Sequence, residues 1–259
     1  FLNIFVVFVH LLCDCVFVFG WFNVPAMGTI GLAYATLVSR TIFGLIMLLY
    51  CFKFIKIRKY KDYGYFVQLI KIGLPIAVAT LLEVAAFNLI TIFIGRVSGV
   101  YAASQNILLT ITTATFMIPM AISNAIAVKV GFSNGACNFV DLKKYAISGI
   151  VVSVGFMSIC ALAFIIFPTF FVHIFTKDSE LVKICVPILL LAGVFQIFDG
   201  LQVSLGGVFK GLKKTNIVMF GDLVAFWFIG LPMGLILAFK FDMYLYGFWV
   251  GLTVAIILL

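Results

Sequence analysis

The sequence predicts an all-α fold, a polytopic bundle of about eight transmembrane helices, and three observations carry that prediction. Of the 259 residues, 65% are hydrophobic and 10% charged, with a mean hydropathy of +1.28. Water-soluble domains run near half apolar and about a quarter charged. The apolar runs are continuous, as from Ile147 to Phe171, whereas strands of a membrane barrel alternate apolar and polar residues over about ten positions. The basic residues fall in short connections between these runs, which points to membrane topology and away from nucleic acid despite a net charge of +8.

Taken in order, apolar runs between charged or Gly/Pro/Asn breaks place spans at 1–20, 28–52, 67–95, 101–128, 145–171, 182–207, 216–239 and 244–259. The chain opens on Phe1 inside apolar sequence, without the basic n-region and cleavage site of a signal peptide. We therefore expect further sequence upstream. The second span ends at the basic stretch KFIKIRKYKDYGY, residues 53–65, the longest charged connection and the expected boundary between two bundles. An amphipathic surface helix is its other plausible form. The expected organisation is two helices in residues 1–52, a cytoplasmic loop at 53–65 and six helices in 66–259.

Lys/Arg asymmetry orients the bundle. Lys53, Lys56, Arg58, Lys59 and Lys61, then Lys129, Lys143 and Lys144, then Lys210, Lys213 and Lys214 fall on one side, which is assigned to the cytoplasm. Arg96, Lys177, Lys183 and Lys240 fall on the other. The expected location is the inner or plasma membrane, multi-pass, with the lipid bilayer as principal partner. Small residues in GTIGLAYATLVSRTI and YGFWVGLTVAIILL, six spans apart, suggest a repeat of even span number, related by an axis along the membrane normal.

Several function classes are excluded or disfavoured. No GxxxxGK[ST] loop is present, so an ATP-driven pump is not indicated. The six cysteines form no CxxC pair, and His10 and His173 stand apart, so neither a zinc site nor a resident cofactor is expected. A membrane enzyme would need acids or histidines gathered at one interface, and here they are central or scattered. Two acids stand out. Glu83 lies mid-span, where a charge costs on the order of 2.5–3.5 kcal/mol and marks an ion or proton pathway. Thr80, Glu83 and Phe87 share one helix face by their spacing. Asp199 lies at similar depth within the stripe Gln196, Asp199, Gln202, a face unsuited to lipid. A protonated Glu83 bridging helices would be the purely structural alternative. Asp222, early in its span, is expected to snorkel to the cytoplasmic side or pair with a lysine. Pro75 and Pro232, each in a Gly-Leu-Pro triplet, mark flexing points or plain kinks.

The segments IGLPIAVATLLEVAAFNLITIFIGRVSG with YAASQNI, FMIPMAISNAIAVKVGFSNGA, LLLAGVFQIFDGLQVSLGGVFKGLKKT, WFIGLPMGLIL and YGFWVGL follow one another on successive spans. In that order they resemble helices seven to twelve of the multidrug and toxic compound extrusion family. HLLCDCVFVFG and GLAYATLVSR resemble its helices five and six. The resemblance implies a partial two-lobe architecture, with the substrate cleft between an incomplete first lobe and a complete second one.

It also implies a secondary transporter exporting drugs or other organic cations in exchange for Na+ or H+, with no catalytic residues. Glu83 and Asp199 match the second-lobe cation site, where two carboxylates resist double ionisation and so hold a cation or a proton. Phe195, one turn before Asp199, matches a position that is often aromatic. Asp14 and Thr36 match polar positions of a first-lobe network. His10 departs from it, standing where Asn is usual, and either relays protons with Asp14 or makes a static hydrogen bond. Arg40 is a further candidate to neutralise Asp14. No substrate residue is singled out among the 30 phenylalanines. The alternatives are a lipid-linked sugar flippase of the same superfamily, and a truncated, non-transporting protein that associates with a separate chain supplying the missing helices.

Overall fold

The computed structural model describes residues 2–21, 25–54 and 63–259, all helices and short connections. The chain divides into two compact units, Phe1–Asp62 and Tyr63–Leu259. The first contains α1 (Leu2–Phe19) and α2 (Thr29–Phe54), which pack on each other. Gly20 and Gly28 adopt φ of +79° and +55° in the connection, a conformation open to glycine at no steric cost.

The second unit contains α3 (Tyr63–Val97), α4 (Gly99–Gly135), α5 (Phe139–Ile166), α6 (Pro168–His173) and α7 (Ser179–Gly211). It continues through α8 (Thr215–Asp222), a π-helical segment (Leu223–Gly230), α9 (Leu231–Lys240) and α10 (Tyr244–Leu258). Among the described residues, six stretches are long and apolar enough to cross a membrane, from 29–52 through 215–240, with shorter apolar helices at 5–19 and 244–258. The chain is thus a multi-pass membrane helix bundle. Large apolar residues, Phe132 and Val128 among them, are exposed on its surface, as expected of a bundle that crosses a bilayer.

Several boundaries differ from the sequence reading, three of them in ways that have a local cause or bear on the expected organisation. Helices α3 and α4 are separated by Ser98 alone, whose hydroxyl accepts from Val100 N and caps α4, so both run past the expected break at residues 96–100. The apolar run at 145–171 is two helices. Pro168 has no N–H with which to continue α5, and the chain turns at Phe167 before α6 begins. The helices also extend into the expected loop, α2 to Phe54 and α3 from Tyr63, while 55–62 lies outside the described residues.

Helix α7 is the axle of the second unit, packed against α4, α5 and α10. Small residues permit this. A Cβ added at Gly207 would sit 2.5 Å from the Ser123 carbonyl oxygen, and one at Gly211 2.8 Å from that of Ala127. Ser123 Oγ donates to Val203 O (2.7 Å) and Ser153 Oγ to Gly200 O (3.0 Å), fixing α7 to α4 and α5. The rotation of α7 about its axis, and so the direction of Asp199, follows from these contacts. The continuous span at 215–240 passes through the π-helical turn just before Pro232. A proline ring clashes with the carbonyl four residues back, and widening the preceding turns relieves that clash.

Candidate functional site

The two mid-membrane acids come together. Glu83 of α3 and Asp199 of α7 line one cavity of about 300 Å³, with Phe87, Thr112, Phe195, Gln196 and Trp249 among its other walls. Asp199 is buried, 7% exposed, and Gln196 is 1% exposed. The Phe195 ring is held edge-on between two aromatics, its centroid 6.4 Å from Phe87 and 5.8 Å from Trp249. Its place is fixed by packing, and it closes one side of the cavity against the bundle core.

Glu83 also faces a second cavity of about 270 Å³, lined by Thr80, Ser123, Asn124, Gln202, Lys210 and Asp222 among others. The expected shared face of α3 is therefore split. Thr80 opens to the second cavity and Phe87 to the first, with Glu83 common to both. The polar stripe of α7 divides likewise. At about 100° per residue, positions i and i+6 are turned roughly 120° from each other. Gln196 and Asp199 face the first cavity, and Gln202 the second.

Asp222 is the residue that sequence reasoning misplaced. It neither snorkels nor ion-pairs with a lysine. It is 5% exposed and accepts a 2.6 Å hydrogen bond from Gln202 Nε2. Among the described residues the ion pairs are His10–Asp14 and Lys144–Asp141. Burial of Asp222 follows from α8 packing on α3 and α7, a tertiary contact with no local sequence signal. The π-helical segment starts at the next residue, and its Trp227 indole donates to Leu82 O (3.1 Å), adjacent to Glu83. Glu83, Asp199 and Asp222 are electrostatic neighbours, and Lys210 acts on both Glu83 and Asp222.

In the first unit, His10 Nε2 lies 3.7 Å from Asp14 Oδ2, and His10 Nδ1 lies 2.8 Å from Ser39 Oγ. Ser39 Oγ also lies 3.2 Å from Thr36 O as a donor, and the direction of its bond with Nδ1 is set by the imidazole tautomer. Thr36 enters this network by its carbonyl alone, because its hydroxyl donates to Leu32 O (2.9 Å) and the residue is exposed. Ser39, unassigned in the sequence reading, makes the side-chain contact. Asp14 pairs with His10 and not with Arg40.

Among the described residues, no three His, Cys, Asp or Glu side chains gather as they would for a transition metal. The cavity at Glu83 and Asp199 has a mostly apolar wall, Phe87, Leu109, Phe116 and Met117 among it, into which the two acids bring their carboxyl groups.

Comparison with known proteins follows the same lines. The MatE family profile matches residues 75–236. The Probable multidrug resistance protein NorM of Mesorhizobium japonicum is 31% identical over 265 residues, covering 96% of this chain and 57% of that protein. The protein of the same name from Neisseria meningitidis serogroup A is 33% identical over 251 residues, covering 93% of this chain and 54% of the relative. The chain thus spans a little over half the length of the relatives it matches. Among solved structures, the eukaryotic MATE transporter AtDTX14 superposes with a TM-score of 0.87 at 22% identity, over 98% of this chain and 58% of that one. An outward-facing multidrug resistance MATE family transporter gives 0.88 at 16% identity, over 99% and 58%. These two likenesses bear on the fold, and the profile match, which covers more than half of the residues, bears on descent. The chain belongs to the MatE family.

Proposed function

We propose that the chain is the greater part of a secondary transporter that exports organic, often cationic, compounds from the cell, driven by Na+ or H+ entering at Glu83 and Asp199. The observation that carries this reading is the shared cavity of two intramembrane carboxylates on different helices. An acid at that depth needs a compensating cation or proton. Two acids on separate helices make the helix arrangement depend on which of these is present. The bilayer is its working environment, the relatives named as multidrug resistance proteins support the cargo class, and no step of covalent chemistry is involved. Within this proposal, residues 1–52 form the last two helices of a first lobe, 66–259 form the second lobe, and His10 with Asp14 belongs to the first lobe's polar network.

Cation binding and cargo binding are linked when both depend on the same helix arrangement, and their mutual effect is reciprocal. Alternating access then requires only that the occupied and empty states prefer opposite openings. The test is ethidium efflux from vesicles containing the chain, under imposed sodium or proton gradients. Glu83→Gln and Asp199→Asn should each cut gradient-driven efflux on the order of tenfold or more at unchanged expression. Unchanged efflux in both variants would remove the assignment. Efflux that appears only after co-reconstitution with a second chain supplying first-lobe helices would add that chain as a partner.

A further inference from the structure

Glu83 borders both cavities, so its carboxyl group can be satisfied from either side. The cation-site reading serves it from the first. The second has a cation of the chain's own, Lys210, which lines that cavity together with Glu83 and Asp222. Lys210 is half-buried, and among the described residues its ammonium is in no ion pair. It acts electrostatically on both Glu83 and Asp222. Asp222 already has a donor in Gln202 (2.6 Å), so Glu83 is the acid that stands to gain most from the ammonium. Their attraction strengthens as they close on each other away from water.

The geometry of α7 favours that approach. Lys210 stands eleven residues after Asp199. At about 100° per residue, this returns it to within roughly 20° of the same face. Val203 and Gly206, between the two, line the second cavity with Lys210. Helical side chains lean toward the N-terminal end of their helix, which for Lys210 is the direction of Gly206 and Gln202. Helix packing does not demand glycine at 206, where an added Cβ would meet only Val218, at 3.9 Å, in contrast to Gly207. The missing side chain leaves a lane for a long, flexible lysine stem. Lys210 also lies in the last turn of α7, where a cation suits the helix dipole, but that role asks nothing of Glu83.

We propose that Lys210 is a tethered counter-cation: when the coupling ion leaves Glu83, the Lys210 ammonium moves through the second cavity, pairs with Glu83 and holds the emptied carrier until a new ion displaces it. The inference rests on the cation-site reading above and goes beyond it by naming a competitor built into the chain. Lys210 is a positioning residue that acts on ion binding through Glu83.

Two measurements test this. The first is acetylation of lysines by an amine-reactive ester, read by mass spectrometry on the chain in nanodiscs. Choline is the only added cation, at a fixed, mildly alkaline pH, so that neither sodium nor protons refill the site. Lys143 and Lys144, exposed at the same end of the bundle, are internal references. Glu83→Gln should speed labelling of Lys210 severalfold relative to them. Unchanged relative labelling would overturn the pair. The second is the concentration of driving cation that gives half-maximal ethidium efflux from vesicles. Lys210→Gln removes the competitor and should lower it on the order of fivefold or more, the lower end of ordinary coupling between linked equilibria. Lys210→Arg keeps a cation on a long stem and should stay near the wild type. A charge needed only for the helix dipole or for topology would change yield or melting temperature and leave the half-maximal concentration unmoved, which would overturn the proposal. Equal lowering by both substitutions would overturn it as well. Should the chain alone give no efflux, the labelling result decides. Efflux indifferent to Glu83→Gln, with Lys210 released in that variant, would overturn the cation-site reading and leave the ion pair standing.

Discussion

Gln202 Nε2 donates to Asp222 Oδ1 across 2.6 Å, joining α7 to the end of α8 just before the π-helical segment. The carboxylate is 5% exposed, and Gln202 is the partner that compensates its burial. Gln202→Leu removes the donor and should lower stability by about 1.5–3 kcal/mol, the range for hydrogen bonds to charged groups. Asp222→Asn replaces a carboxylate with an amide that still offers an acceptor, and should cost less. Thermal unfolding in detergent, comparing the two variants, checks the order.

Close approach of α4 and α7 depends on glycine at particular positions. Gly207→Ala places a Cβ 2.5 Å from the Ser123 carbonyl oxygen, and backbone on both helices must shift. Overpacking of this kind costs about 1–3 kcal/mol, and a displaced α7 alters the placing of Asp199 relative to Glu83. Gly73→Ala meets nothing within 4 Å. We expect a lowered melting temperature and weakened cation binding in the first variant, and neither in the second.

Trp227 ties the π-helical segment to α3 through its bond to Leu82 O (3.1 Å). Trp227→Phe keeps most of the ring and loses the donor, a cost of about 0.5–1.5 kcal/mol. Amides from 215 to 240 should exchange faster by hydrogen–deuterium mass spectrometry, while α5 should be unaffected. Uniform acceleration throughout the second unit would show that the bond has no local role.

His10 and Arg40 are the two groups within sequence reach of Asp14, and only His10 meets it, at 3.7 Å. His10→Phe should destabilise the chain by about 1 kcal/mol, as partly exposed pairs do. Arg40→Ala should be neutral. The reverse order in a thermal melt would favour Arg40 as the neutralising partner.

Glu83 and Asp199 were legible in the sequence because a carboxylate deep in an apolar run has few inexpensive places to point. The membrane bundle was legible from composition, and so was the pairing of His10 with Asp14, which are one helical turn apart. Asp222 was not. Its place early in the span suggested the interface, and only the packing of α8 on α3 and α7 shows it buried. Spacing placed Gln196 and Gln202 on one stripe, yet successive steps of three residues drift around the helix, and the two amides serve different cavities. The π-helical turn has a trace in Pro232, although the same triplet at Gly73-Leu74-Pro75 lies within an α-helix, so the motif alone does not predict it. The Gln196 amide donates to Thr115 Oγ1 (2.8 Å), 81 residues away, a relation that no local pattern encodes.

If Glu83 and Asp199 hold one cation between them, removing either carboxylate removes the site, and removing the second adds little. The most direct test is gradient-driven ethidium efflux in Glu83→Gln, Asp199→Asn and the double variant, measured side by side in vesicles. The account predicts that the double variant is no more impaired than the worse single one, as for groups that act as a unit. Losses that multiply, each carboxylate contributing independently, would contradict it.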